Sequence, residues 1–280
     1  MRAAAGACVM RAALCAGLAL LAGCADTRAP SPDAGASGAI ALRPMPPDEH
    51  IPDYAKRPFE PFSRTNAVAI AQREWRMFGS PVNDAPPGQE LPRSARPDRQ
   101  AGLWQRVGDY WWFGQDAGSR QGGWTSRYDE FGREYGGTGP AWSAAFISYV
   151  MRAAGAGAKF TYSALHADYI NAAARGEGAA RAERPGQYAL QIGDLICTGR
   201  ASSRGIRFED LPAPSFYGHC DMVVSRGAGS VQVIGGNVSA GVTMKNVPVT
   251  GEGMLADASG RVLDGRYDWF VVLRVLYDAE

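Results

Sequence analysis

Pro140-Ala141-Trp142-Ser143-Ala144-Ala145-Phe146-Ile147-Ser148-Tyr149-Val150-Met151 is the stretch that decides how this chain folds. A proline ahead of an unbroken apolar run, with Gly155 just beyond it, predicts a single buried helix. Small side chains at Ser143, Ala144 and Ala145 allow another segment to come close to its first turn. Upstream, residues 63–78 place Val68, Ala71, Trp75 and Phe78 at helical spacing, and residues 102–113 do the same with Trp104, Val107 and Trp111. A Gly-rich polar segment, 114–139, separates these from the central helix. Downstream, residues 163–174 predict a further helix capped by Ser163. After Pro185 the period changes. Short β-branched runs at 194–198, 219–225, 230–234, 242–246 and 269–275 alternate with Gly-rich turns, as strands of an antiparallel sheet do. Helices followed by strands predict an α+β fold, with N-terminal helices packed on the sheet.

The N-terminus has another character. Arg2 and Arg11, no acid, and an apolar run over 12–21 give residues 1–23 the order of a cleavable secretory signal, too short to span a bilayer. Residues 24–61 are rich in Pro, Ala, Gly and Ser and read as a flexible tether, leaving 62–280 as one folded domain. There are 29 basic side chains, two of them in the signal, against 28 acidic ones, so no nucleic acid or other polyanion is implied. Of five cysteines, Cys8 and Cys15 fall in the signal and Cys24 at its end. The remaining Cys197 and Cys220 fit either a disulfide in an oxidising compartment or two buried thiols. No CxxC pair, HExxH, phosphate loop or calcium loop is present, so neither a metal nor an organic cofactor is expected.

Three segments could carry chemistry together. Ser143 stands at a helix start, where backbone N–H groups and the helix dipole suit a developing oxyanion. His219 opens a strand after Gly218, and Asn237 follows Gly235-Gly236 at the end of the next. Nucleophile, base and orienter in this order form a triad pattern. Alternation along the strand puts Asp221 on the same face as His219, making it a rival orienter, and Cys220 on the other face. Each residue also has a plainer role: Ser143 as a helix-start residue, His219 as a core histidine, Asn237 as turn chemistry. His166 fits a surface or supporting position, or one lining the cleft. Trp142, Trp111, Trp112 and Trp124 fit either the core or an aromatic rim.

Four resemblances extend this. Leu21-Ala22-Gly23-Cys24 resembles the lipobox of bacterial lipoproteins, which implies diacylation at Cys24. Ala25 after it resembles the sorting signal for the outer membrane, which implies a periplasm-facing anchor. Trp142-Ser143-Ala144-Ala145-Phe146, Gly193-Asp194-Leu195-Ile196, Gly218-His219 and Gly235-Gly236-Asn237 resemble the motifs of the NlpC-like and CHAP-like cell-wall amidases and peptidases. The 18-residue spacing from His219 to Asn237 is similar to the CHAP branch. The chain also resembles a family of bacterial lipoproteins of unknown function whose members carry Trp-Ser-Ala-Ala-Phe-Ile-Ser. These resemblances imply a papain-like fold, a Ser143-His219-Asn237 hydrolase and a peptidoglycan or peptide substrate. The peptidases have cysteine where this chain has Ser143, and a hydroxyl must lose its proton to the base as it attacks. The alternative implied by that departure is an inactive module that binds wall peptides or an envelope partner.

Overall fold

Ser63 accepts a hydrogen bond from the Asn66 backbone N–H at 3.2 Å and so starts helix α1, Arg64–Met77, which Gly79 ends with a left-handed φ of 85°. The computed structural model describes residues 61–85, 96–114 and 141–280, all within one compact unit, Pro44–Glu280. The expected signal, Cys24, most of the tether and the Gly-rich segment with Trp124 lie outside the described residues. Within them are three further α-helices: α2, Leu103–Gly114; α3, Ser143–Ala153; and α4, His166–Ala174. No described helix is long and apolar enough to cross a membrane.

Six strands follow: β1, Ala180–Glu183; β2, Leu195–Gly199; β3, Gly218–Gly227; β4, Ser230–Val238; β5, Gly241–Pro248; and β6, Trp269–Val275. They form one antiparallel sheet in the order β1-β6-β2-β3-β4-β5. The α+β expectation is met. Strand β1 escapes a sequence reading because Ala-Arg-Ala-Glu has no β-branched residue, and only its pairing with β6 makes it a strand.

Helix α3 is buried from Ser143 to Arg152 and packs against α1, α2, β3 and β4. The segment that its small first turn admits is α2. A Cβ on Gly114 would come 2.5 Å from Ala145 O and 2.6 Å from the Tyr149 backbone N, so only glycine permits this approach. On α1 the buried stripe is Ala67, Ala71, Glu74 and Phe78, one step away from the expected Val68 and Trp75. Glu74 takes the inward position because cations and phenols meet it there. Its carboxylate accepts from Arg106 at 2.6 Å and Tyr110 Oη at 2.7 Å, tying α1 to α2. Trp104, expected inside, is exposed.

The sheet is packed on both faces. Cys197, Cys220, Met222, Val224, Ile234 and Leu273 join the helix-side core, whereas Ile196, Val223, Val233, Val247, Trp269 and Val272 form a second core on the other side. Cys197 and Cys220 are directly paired across β2 and β3 and are joined in a disulfide.

Candidate active site

Ser143 is the first residue of α3, and the helical ladder begins only with Phe146 N–H donating to Trp142 O at 3.0 Å. The N–H groups of Ser143, Ala144 and Ala145 therefore precede the ladder, at the positive end of the helix dipole. Trp142 supplies no side-chain cap. Its buried ring lies between Phe78 and Tyr110, with centroids 6.1 and 5.7 Å away, so it packs the helix start.

Ser143 Oγ lies 2.7 Å from His166 Nε2, and His166 Nδ1 is hydrogen-bonded to Tyr169 Oη one turn further along α4. All three side chains are buried. Burial, reinforced by the nearby His219 and Arg200, holds the His166 imidazole well below the usual histidine pKa. Burial raises the Tyr169 phenol well above its usual value, so it stays protonated. Two proton arrangements satisfy the trio. With hydrogen on Nδ1, His166 donates to Tyr169 and its Nε2 lone pair receives the Ser143 hydroxyl; with hydrogen on Nε2, both bonds reverse. The first arrangement makes His166 a base towards Ser143.

Beside this trio lies a second one on β3 and β5. The His219 ring centroid is 5.4 Å from that of His166. His219 Nε2 bonds Asp221 Oδ1 at 2.9 Å, and Asp221 Oδ2 accepts from Lys245 Nζ. Asp221 and Lys245 are fully enclosed and His219 nearly so. Burial alone would raise the Asp221 carboxyl, but Lys245 and His219 outweigh it and hold it well below the carboxylate range. Burial, with Arg200 adding to it, lowers His219 to about 4 despite the carboxylate beside it. His219 is thus neutral near pH 7, and the ionised Asp221 fixes its Nε2 as the protonated nitrogen.

The expected Ser143-His219-Asn237 set does not assemble as such. Ser143 bonds His166, and His219 bonds Asp221. His166 takes the place beside Ser143, and the His219 ring lies 5.4 Å from the His166 ring with its own hydrogen bond turned to Asp221. Asn237 sits half-buried with a left-handed φ of 56° and makes no side-chain hydrogen bond to any described residue. His166, expected at the surface or in support, is buried against the nucleophile position. The glycines before Asn237 have a steric task instead. A Cβ on Gly235 would fall 1.6 Å from Asp221 Oδ1, and one on Gly236 would fall 2.5 Å from Phe146 Cβ on α3.

Two members were not anticipated. His166 and Tyr169 stand at i and i+3 on α4, a spacing that puts them on one face. Lys245 occupies an inward position of β5 between Thr243 and Val247; a lysine in such an alternation was the available signal. Among the described residues, no group of three or more His, Cys, Asp or Glu side chains could hold a metal ion.

A family model described as "uncharacterized protein conserved in bacteria (DUF2272)" matches residues 98–275, which span α2 to β6 and every residue of the two trios. No curated protein and no solved structure matches the chain.

Proposed function

The chain belongs to this bacterial DUF2272 family, and from that premise we propose that it is a serine acyl hydrolase on a papain-like domain, acting on amide bonds of the cell wall. The observation that carries the reading is Ser143 Oγ at 2.7 Å from His166 Nε2, at the start of a buried helix. In this mechanism Ser143 Oγ attacks the substrate carbonyl carbon while its proton passes to His166 Nε2. Tyr169 holds the ring through Nδ1. The oxyanion forms beside the N–H groups of Ser143, Ala144 and Ala145, which precede the helical ladder of α3. His166 then gives the proton to the leaving amine, and water, deprotonated by the same nitrogen, releases the acyl group from Ser143. The His219-Asp221-Lys245 trio packs against the His166 ring and fixes its position.

Leu165 and Tyr217, the residues just before His166 and Gly218, are 45% and 64% exposed. Large exposed side chains next in sequence to His166 and to the strand that carries His219 are what a peptide substrate would cover. The remaining parts of the reading rest on sequence. Cys24 anchors the chain to the outer membrane, and residues 24–61 let the domain reach peptidoglycan from the periplasmic side. The Cys197–Cys220 disulfide supports an oxidising compartment.

A second reading, a module of the same fold that binds wall peptides without turnover, is favoured by how deeply Ser143, His166 and His219 are enclosed. A serine-reactive fluorophosphonate separates the two. The hydrolase gives a single adduct, mapped to Ser143 and lost in Ser143→Ala, together with release of new amine groups from purified wall fragments. An unlabelled Ser143 with wall fragments left intact would overturn the hydrolase in favour of the binding module.

A further inference from the structure

Away from both trios, a cavity of about 570 Å³ opens between the segment after β1, the loop joining β2 to β3, and the chain entering β6. This is within the roughly 300–1,000 Å³ typical of small-ligand sites. Its apolar lining includes Ile206, Phe208 and Val262. One wall is braced: the Arg184 guanidinium lies over the Phe208 ring at 4.4 Å and is paired with Glu209. Arg261 is similarly committed to Asp257.

Three other polar side chains of the lining are exposed and make no side-chain hydrogen bond or ion pair with any described residue: Arg204, Gln187 and Asp268. They come from three different segments and present a planar cationic fork, a carboxamide and a carboxylate. A guanidinium matches a carboxylate bidentately, a carboxamide matches a backbone amide, and a carboxylate matches N–H or ammonium donors. Apolar side chains between them suit an aliphatic side chain. A single ligand that offers all of these groups is a short peptide with a free C-terminus.

We propose that this cavity is a peptide-binding site, separate from the Ser143 centre, in which Arg204 receives the terminal carboxylate of a short peptide. Gln187 bonds the peptide backbone, and Asp268 takes its N–H or ammonium groups. The site does not depend on the hydrolase reading. On either reading of the Ser143 centre it gives the domain a second hold on peptide.

The test uses the tripeptide Ala-Leu-Ala and its C-terminal amide, with binding to the whole domain followed by calorimetry. The acid should bind, and the amide should bind at least about tenfold more weakly, the loss expected for one charge-assisted pair. Arg204→Gln should impose a similar loss on the acid and bring acid and amide to the same affinity. Gly205 lines the cavity, and a Cβ there meets no atom within 4 Å on a backbone that is not left-handed, so Gly205→Leu is chosen to add bulk at the lining. That variant should fold with an unchanged melting temperature, label at Ser143 as before, and bind neither peptide. Ser143→Ala should bind the acid as the native protein does. No binding of the acid at millimolar concentration, or binding that survives Gly205→Leu or is lost in Ser143→Ala, would overturn the proposal. The first would show that the cavity is unused, and the others that the peptide sits elsewhere.

Discussion

Ser143 Oγ on α3 and His166 Nε2 on α4 lie 2.7 Å apart, so the helix-start serine is partnered by a histidine of the next helix and not by the strand histidine. His219 instead serves Asp221 and, through it, Lys245. The two imidazoles meet ring to ring, and this contact couples the helix pair to the sheet.

Lys245 and Asp221 form a fully buried ion pair, so removing one partner leaves an uncompensated charge. Lys245→Met should cost about 3–5 kcal/mol in urea unfolding. Adding Asp221→Asn to it should restore part of the loss, because no unpaired charge then remains at this position. A double variant that is less stable than the single one would contradict this pairing.

Gly235 is demanded by the Asp221 side chain that crosses it on the way to Lys245. Gly235→Ala should destabilise the domain by roughly 2 kcal/mol or more through overpacking. Gly205→Ala, made where there is open space, should change stability by less than about 0.5 kcal/mol. Equal melting temperatures for the two variants would show that Asp221 does not occupy this position.

Acid sensitivity follows from His219. Its folded pKa, about 4, lies below the ordinary 6.5, so folding favours the neutral ring. The stability this contributes is fully present above pH 6.5 and is lost as the pH falls through 4, up to about 3 kcal/mol in all. Asp194 acts with the opposite sign. Burial raises it to about 6, so its contribution weakens as the pH rises from 4 to 6. Asp194 is common to the native protein and to His219→Gln, whose amide can still donate to Asp221. The native protein should therefore lose stability more steeply than His219→Gln between pH 6.5 and 4. Parallel curves would place His219 in a more hydrated setting.

Much of this architecture is legible in the residues. Ser63, Gly79, Gly155 and the apolar run from Phe146 to Met151 mark helices by local chemistry alone, and the β-branched runs mark five of six strands. The site is less so. Period-2 alternation correctly groups His219 with Asp221, but whether their face looks towards α3 depends on how the sheet lies against the helices, which no local pattern encodes. The Ser143–His166 contact spans 23 residues and depends on the approach of α3 to α4. Gly235 and Gly236 look like turn residues in the sequence, yet their purpose is to admit Asp221 and Phe146. Steric needs of this kind become visible only when the neighbouring elements are in place.

The pairing of Ser143 with His166 is tested most directly by the alkylation rate of Ser143→Cys with iodoacetamide near pH 7. A thiol beside a base at a helix start ionises readily, so it should react at least about tenfold faster than an ordinary exposed cysteine. Adding His166→Gln should remove that advantage, while adding His219→Gln should leave most of it. A thiol that is indifferent to His166→Gln, or slowed only by His219→Gln, would contradict the assignment and return the base to β3.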